Sequence, residues 1–217
     1  MTTALIDGDL VCYRSAASAE KDEENIALIR ANRTLQDIVS VTDASDVKLF
    51  LSGTANFRYG LYPEYKANRK DMVRPRHLEL VREFLVTKWG ATVTDGYEAD
   101  DAIGIAMGEC DSGVCVSLDK DLLQLPGIHY NFVSSTFREI DDYEGWYNFY
   151  RQLLTGDRAD NIPGVGGIGP VKSERLLRSQ SSKNAMHELV KKLYNDEQRF
   201  VRNGSLLWVW RKPSDQL

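Results

Sequence analysis

Eight acidic residues stand in four short groups along this 217-residue chain, and their spacing constrains its fold more than any other feature. The eight are Asp7, Glu98, Asp100, Asp101, Asp119, Asp121, Asp157 and Asp160. Two of the groups directly follow the apolar runs ALI and VCVSL, which predict buried strands. Open α/β sheets bind ligands at the carboxyl ends of their strands, so we expect these acids to meet at one sheet edge. Gathered carboxylates repel one another unless cations lie among them, and an oxygen-only ligand set suits Mg²⁺ or Mn²⁺.

The net charge is compatible with a nucleic-acid partner. The formal value of −5 at first argues against one, but it would rise by eight and become positive if metal neutralised the clustered carboxylates. Two metal ions a few ångströms apart form a site for in-line displacement at phosphorus.

Composition indicates a globular protein of a reducing compartment. With 42% hydrophobic residues the chain can bury a core, yet no apolar run approaches the about 20 residues that cross a bilayer. The first residues, MTTALIDGD, lack the pattern of a secretory signal. Cys12, Cys110 and Cys115 are odd in number and form no CxxC motif. We therefore expect a cytoplasmic protein with reduced thiols, no zinc site and no membrane partner.

Strand and helix patterns alternate over residues 1–142, which predicts a mainly parallel sheet with helices on both faces. The predicted strands are TTALID, DVKLFLSG, ATVTDG, GVCVSLD, IHYNFVSS and TFREID. The segments LELVREFLVTKW, with Pro75 in its first turn, and EADDAIGIAMGE predict helices, and DLLQL predicts a short one. Residues 143–217 show no clear strand and predict a helical region around NIPGVGGIGP.

Three features have more than one interpretation. Gly164–Gly169 matches GxGxxG, but a dinucleotide site needs a strand before it, whereas NIP precedes it and Pro170 follows. We favour a hairpin between two helices whose N–H groups bind phosphate. The basic run Tyr65–Lys70 is either a solvated loop or a single-strand binder that stacks a base and pairs phosphate with cations. Capping of a helix would explain one or two acids of the second group, but not all three.

The motifs IDG, FRxxxxPxYKANR, GYEADD, SLDKDLLQL and GDxxDNIPGVGGIG together resemble those of the 5′ nuclease, or flap endonuclease, family. That family includes the 5′→3′ exonuclease domain of bacterial DNA polymerase I and stand-alone phage 5′ exonucleases. The resemblance runs from Asp7 to about Leu177. It implies a PIN-like three-layer α/β/α core over residues 1–142, with a short arch near residues 65–78. It also implies a helical DNA-binding region, residues 143–217, with a helix–hairpin–helix-like motif and with two active-site acids, Asp157 and Asp160.

The resemblance implies a role for each matching residue. The expected ligands of a first metal ion are Asp7, Glu98, Asp100 and Asp101, and those of a second are Asp119, Asp121, Asp157 and Asp160. Lys66 matches a catalytic lysine and Arg14 an arginine near the scissile phosphate. The expected DNA-binding residues are Arg58, Tyr65, Arg69, Lys70, Gly164, Gly166, Gly167, Gly169 and Lys172. In relatives the glycine hairpin also holds K⁺.

The activity implied by the resemblance is a 5′ nuclease, dependent on two or more Mg²⁺ or Mn²⁺ ions, that cuts DNA at 5′ ends or flaps. Further expected partners are RNA–DNA hybrids, a replication polymerase and a single-strand-binding protein, for a monomer in a bacterial or phage-infected cell. The alternatives are a structure-specific DNA-binding protein with little cleavage and a PIN-like ribonuclease. One residue departs from the family pattern: Ser52 stands where relatives have an Asp at the end of the second strand. We expect this change to weaken the first metal site.

Overall fold

A six-stranded sheet forms the centre of the computed structural model, which describes residues 1–215. Its strands are β1 (Thr3–Asp7), β2 (Asp46–Leu51), β3 (Thr92–Val93), β4 (Gly113–Val116), β5 (Gly127–Asn131) and β6 (Thr136–Ile140). They lie in the order β3-β2-β1-β4-β5-β6, and all neighbours are parallel except β5 and β6. From β1 the chain continues through β2 and β3 to one edge of the sheet, and from β4 it continues through β5 and β6 to the other edge. The crevice at which the strand order reverses therefore lies between β1 and β4.

Helices cover both faces of the sheet, which confirms the predicted three-layer α/β/α architecture. The first five are α1 (Gly8–Ser18), α2 (Glu24–Thr42), α3 (Arg58–Leu61), α4 (Leu78–Trp89) and α5 (Ala99–Glu109). Side chains alternate along β1, so Ala4 and Ile6 pack in the core formed with α1, α2 and α4. Leu5 points to the opposite face and packs in the core formed with α5.

The second part of the described chain is helical, as predicted. Its helices are α6 (Asp142–Thr155), α7 (Pro170–Arg178), α8 (Lys183–Tyr194) and α9 (Glu197–Leu207), and they enclose an apolar core of their own. One prediction is wrong: β7 (Gly156–Asp157) and β8 (Ile162–Pro163) form an antiparallel ladder where we expected no strand. Strands of two residues are too short to show an alternating pattern in the sequence. None of the helices within residues 1–215 has the length and apolar character needed to span a membrane.

The last described residues return to the α/β core. Gln124 donates from Nε2 to the Leu207 carbonyl and accepts from the Val209 N–H, both at 3.0 Å. Val209 packs with α5, whereas Trp208 stays in the helical core and stacks on Trp146 with ring centroids 5.1 Å apart. Residues 207–209 thus contact both regions. The structure does not define a boundary between separate domains, and the boundary that we expected at residue 142 stays a prediction.

The segment between β2 and α4 contains little regular structure. It holds α3 and a 3₁₀ turn at Ala67–Arg69, so the arch predicted near residues 65–78 is a short loop. Pro75 is not in the first turn of α4, contrary to our prediction, since the helix begins at Leu78. The Pro75 carbonyl instead accepts the Leu78 N–H, at 3.1 Å, in a turn ahead of the helix.

Candidate active site

A cavity of about 180 Å³ opens at the carboxyl ends of β1 and β4. It is lined by seven of the eight metal ligands that the sequence predicted. The predicted metal ligands that line it are Asp7, Glu98, Asp100, Asp119, Asp121, Asp157 and Asp160. An eighth acid, Asp9, lines it as well, together with Lys66, Arg69 and Lys120. Residues far apart in the sequence therefore meet at the crevice between the two strands.

Hydrogen bonds around Ser117 fasten the ends of β1 and β4 to each other. Ser117 Oγ donates to Asp7 Oδ2 at 2.9 Å and accepts from the Asp119 N–H at 3.0 Å. Asp7 Oδ1 accepts the Leu10 N–H at 3.1 Å and so caps α1. Asp119 Oδ1 accepts the Asp121 N–H at 2.9 Å. The turns that follow the two strands thus hold both carboxylates at one place.

Ser52 fixes the wall of the cavity at the end of β2. Its Oγ accepts the Ala99 N–H of α5 at 3.0 Å, and its N–H donates to Asp9 Oδ2 at 2.9 Å. Arg82 donates to Asp9 Oδ1 at 2.6 Å and to the Ser52 carbonyl at 2.7 Å. Sequence reasoning missed Asp9 and Arg82. For Asp9 the sequence did contain a signal, because it is an acid two residues after Asp7 and stands at the start of a predicted helix.

Asp101 does not line the cavity, contrary to our prediction that it binds metal. Its side chain is fully buried and accepts from Arg58 at 2.6 Å and 2.9 Å. The N–H groups of Glu98 and Trp210 donate to the same carboxylate, each at 3.1 Å. Successive residues of a helix point about 100° apart. Asp100 therefore faces the cavity while Asp101 faces the protein interior.

Arg58 and Tyr65 are buried, so the prediction that they contact DNA is wrong. Arg58 is 3% exposed and also donates to two backbone carbonyls of the C-terminal segment, both at 2.8 Å. Tyr65 is 2% exposed, and its hydroxyl lies 2.9 Å from Glu98 Oε2 and 3.0 Å from Asp160 Oδ2. The hydroxyl orients these two acids, and the ring belongs to the core of the helical region.

The other predicted cations occupy different positions. Lys66 pairs with Glu98 and lies 3.7 Å from Asp160 Oδ2, and its backbone is left-handed, with φ of 54°. A lysine in this conformation is uncommon and is favoured here by the Lys66 N–H, which donates to the Asp160 carbonyl at 3.0 Å. Arg69 donates to Asp160 Oδ1 at 2.5 Å. Arg14, which we predicted near the scissile phosphate, does not line this cavity but a separate groove, and Lys70 is exposed.

The acids of the cavity fall into two charge environments. Asp7, Asp100 and Asp119 form no ion pair with any cation in the described part of the chain. Burial and the charges of neighbouring acids raise the pKa of Asp7 to about 7 and the pKa of Asp100 well above its ordinary value. Burial also raises the pKa of Glu98 and of Asp157, but paired cations outweigh it and hold both pKa values below their usual range.

The donor set fits hard divalent cations. Every acidic group of the cavity offers oxygen, and the uncompensated charge of Asp7, Asp100 and Asp119 is the charge that such a cation would neutralise. Among residues 1–215 no three acidic, cysteine or histidine side chains are yet positioned together to hold a metal ion. Lys66, Arg69 and Lys120 instead hold several of the carboxylates.

The predicted glycine hairpin lies between α6 and α7, and its glycines have two functions. A Cβ on Gly164 would lie 2.3 Å from the Thr155 carbonyl carbon, so Gly164 serves close packing. Gly166, Gly167 and Gly169 are exposed with open space around them, and Gly167 has a φ of +74°. Lys172 is exposed on the same surface, in the first turn of α7.

Comparison with known protein families identifies the family to which this chain belongs. The sequence model of the family described as 5′-3′ exonuclease, N-terminal resolvase-like domain, matches residues 2–147. The chain belongs to this exonuclease family. A 5′-3′ exonuclease of Buchnera aphidicola is 28% identical over 93% of this chain and 78% of that protein. The flap endonuclease Xni of Shewanella putrefaciens is 30% identical over 81% of this chain and 73% of that protein.

Longer relatives and solved structures agree with this membership. The thermostable DNA polymerase I of Thermus filiformis is 30% identical over 82% of this chain, which spans only 24% of that polymerase. A structure of T5 5′-exonuclease with bound zinc superimposes with a TM-score of 0.75 at 20% identity, covering 95% of this chain and 88% of that one. The catalytic core of Rad2 in complex with DNA gives a TM-score of 0.54 at 13% identity, covering 93% and 71%. The predicted family, its nuclease class and the fold are confirmed.

Replacing Arg58 by Met should lower the free energy of unfolding by about 3–5 kcal/mol, because Asp101 would remain as a buried, unpaired charge. Urea denaturation of the metal-free protein measures the change. The matched variant Arg76→Met removes an exposed arginine and should change stability by less than about 0.5 kcal/mol. Equal stability of the two variants would contradict the structural role of Arg58.

The metal-free protein should lose stability from this cavity as pH rises between about 5 and 7. Burial, together with the charge of Asp119, raises the pKa of Asp121 to about 7 in the folded state, as burial does for Asp7. An unfolded Asp loses its proton near pH 4, so in this window the folded state holds protons that the unfolded state has lost. Stability gained from that protonation is present at low pH and lost above about pH 7.

Asp100→Asn isolates this effect, since it removes one ionisable carboxyl group from the cluster. At about pH 8 in EDTA its melting temperature should exceed that of the wild type, whereas the exposed control Asp111→Asn should not. The comparison separates the cluster from His129, because burial lowers the pKa of that histidine and acts in the opposite direction. An Asp100→Asn protein no more stable than the wild type would refute the repulsion.

Proposed function

We propose that this chain is a divalent-metal-dependent, structure-specific 5′ nuclease that hydrolyses DNA phosphodiesters at 5′ ends or flaps. The observation that carries the proposal is the single cavity in which eight carboxylates meet three cationic side chains. A cluster of acids facing a polyanion has no use in simple DNA binding, but it has a use in holding metal ions against a phosphate. Family membership and the nuclease names of the relatives support the same reaction class.

Two groups of acids would hold the metal ions, Mg²⁺ or Mn²⁺. The first group is Asp7, Asp100 and Asp119, which have no cation partner within residues 1–215. The second is Asp121, Asp157 and Asp160. This grouping differs from the one that the resemblance implies: Asp119 moves to the first group because Ser117 joins it to Asp7, and Glu98 is left in neither group because it pairs with Lys66. Divalent ions bound there would activate a water molecule and neutralise the charge that develops on the phosphate. Asp101 has no part in this set.

The protein itself supplies positive charge and orientation. Lys66 and Arg69 line the cavity and would bind the non-bridging oxygens of the scissile phosphate. The Tyr65 hydroxyl keeps Glu98 and Asp160 in place beneath them. The expected products carry 5′-phosphate and 3′-hydroxyl ends.

The glycine hairpin would hold the duplex part of the substrate. Gly166, Gly167 and Gly169 leave backbone groups open to solvent, and Lys172 adds a cation beside the first turn of α7. Such contacts recognise the phosphate backbone and not the base sequence. A K⁺ ion at this hairpin is part of the proposal.

Other features of the proposal come from the resemblance alone. They are action on RNA–DNA hybrids, a monomeric state, a polymerase or single-strand-binding partner, a bacterial or phage-infected cytoplasm, a catalytic Arg14 near the scissile phosphate, Lys70 as a DNA contact, and a boundary near residue 142. The chain spans 15–24% of the DNA polymerase I relatives, so their other activities are not extended to it.

A labelled 5′-flap duplex tests the function directly. Incubation with Mg²⁺ should release the flap, EDTA should stop the reaction, and Asp119→Asn should abolish cleavage while duplex binding persists. Asp119 is placed to hold metal and its carboxylate makes no contact with a cation that would bind phosphate. Products sized at nucleotide resolution show whether ends or flaps are preferred. Binding without cleavage by the wild-type protein would favour a DNA-binding protein instead.

Gly166→Glu should weaken binding to the duplex and spare short single strands, since it adds bulk and negative charge to an exposed part of the hairpin. Fluorescence anisotropy with a hairpin duplex and with a short single strand measures both. Ser181→Glu adds the same charge to the loop between α7 and α8 and serves as the matched control. Equal behaviour of the two variants would locate the duplex contact elsewhere.

A further inference from the structure

Lys120 lies between two acids of the cavity. Its Nζ donates to Asp157 Oδ2 at 2.7 Å and to Asp121 Oδ1 at 3.1 Å. One ammonium group thus bridges two of the carboxylates to which the proposed function assigns the second metal ion. It occupies the place where those carboxylates would share a divalent cation.

Three other acids of the cavity, Asp7, Asp100 and Asp119, have no such internal cation. No lysine or arginine of the described chain forms an ion pair with Asp7, Asp100 or Asp119. The attraction for a divalent cation is therefore strongest in this half of the cavity. In the half around Asp121 and Asp157, one positive charge already offsets part of that attraction.

Lys120 can leave without disturbing the carboxylate that it holds. Its side chain is 65% exposed, while that of Asp157 is 4% exposed. Asp157 is held independently, because Oδ1 accepts the Ala159 N–H at 2.7 Å and Oδ2 accepts from Gln152 at 3.1 Å. A lysine has a flexible stem, so its ammonium can swing into solvent while the backbone stays in place.

We propose that Lys120 is an internal competitor for the second divalent ion. It keeps Asp121 and Asp157 together when no metal is bound, and it must be displaced before an ion is shared between them. The two ions then bind in order, the first with high affinity beside Asp7, Asp100 and Asp119, and the second with lower affinity. The inference rests on the proposed metal dependence and adds to it an order of binding that is set by one side chain.

Titration of the DNA-free 217-residue chain with Mn²⁺, with free Mn²⁺ followed by electron paramagnetic resonance, tests the competition. The wild type should show one tight and one weaker ion. Lys120→Met and Lys120→Gln should bind the second ion about tenfold more tightly or better, because a like charge next to that ion is removed. Lys88→Met, which removes an exposed lysine on α4, should leave both affinities unchanged.

The melting temperature in EDTA provides a second readout, in which the Lys120 variants should be weaker than the wild type although they bind the second ion more tightly. Lys120→Met and Lys120→Gln should melt below the wild type, since Asp121 and Asp157 then repel each other without the bridging ammonium. A purely structural role for Lys120 would weaken both folding and ion binding. Unchanged or weaker binding of the second ion in these variants, or two equally tight ions in the wild type, would overturn the inference. No Mn²⁺ binding by any of the proteins would overturn the metal dependence itself.

Discussion

Repulsion among carboxylates packed into one cavity is the constraint on which the rest of this structure depends. Eight acids and three cationic side chains line a cavity of about 180 Å³, so the folded protein must hold negative charges together against their mutual repulsion. It does so by backbone N–H groups at turns and helix starts, and by ion pairs to every acid of the cavity except Asp7, Asp100 and Asp119. The charge left over gives the cavity its affinity for cations.

The architecture brings these acids together at one edge of the sheet. Parallel strands β1 and β4 end side by side, and α5 begins at the same edge, so three segments meet where the strand order reverses. The helical region contributes Asp157 from the end of β7 and Asp160 from the loop between β7 and β8. The buried Arg58–Asp101 pair ties α3 and α5 to the C-terminal segment. Loss of this pair would lower the stability of the fold without removing a side chain from the cavity.

The sequence predicted the fold and most of the cavity because its signals were local. Asp7 and Asp119 follow apolar runs, and strand ends of a parallel sheet share one edge. Asp101 could not be separated from Asp100 without the phase of α5 and the position of Arg58, 43 residues earlier in the chain. Tyr65 looked like a stacking ring because its sequence neighbours are basic, but packing against the helical core buries it. The hydrogen bonds that Ser52 makes to α5 and Asp9 could not be predicted from the sequence either, since they join residues distant in sequence.

Diffraction from crystals soaked in Mn²⁺, recorded near the manganese absorption edge, tests the central claim most directly. The account predicts an anomalous peak beside Asp7, Asp100 and Asp119 at low Mn²⁺. A second peak should appear beside Asp121 and Asp157 at higher concentration, with the Lys120 side chain turned away. It predicts none beside Asp101. Peaks absent from the cavity, or a first peak on the Asp121 and Asp157 side, would contradict the claim that uncompensated negative charge organises this site.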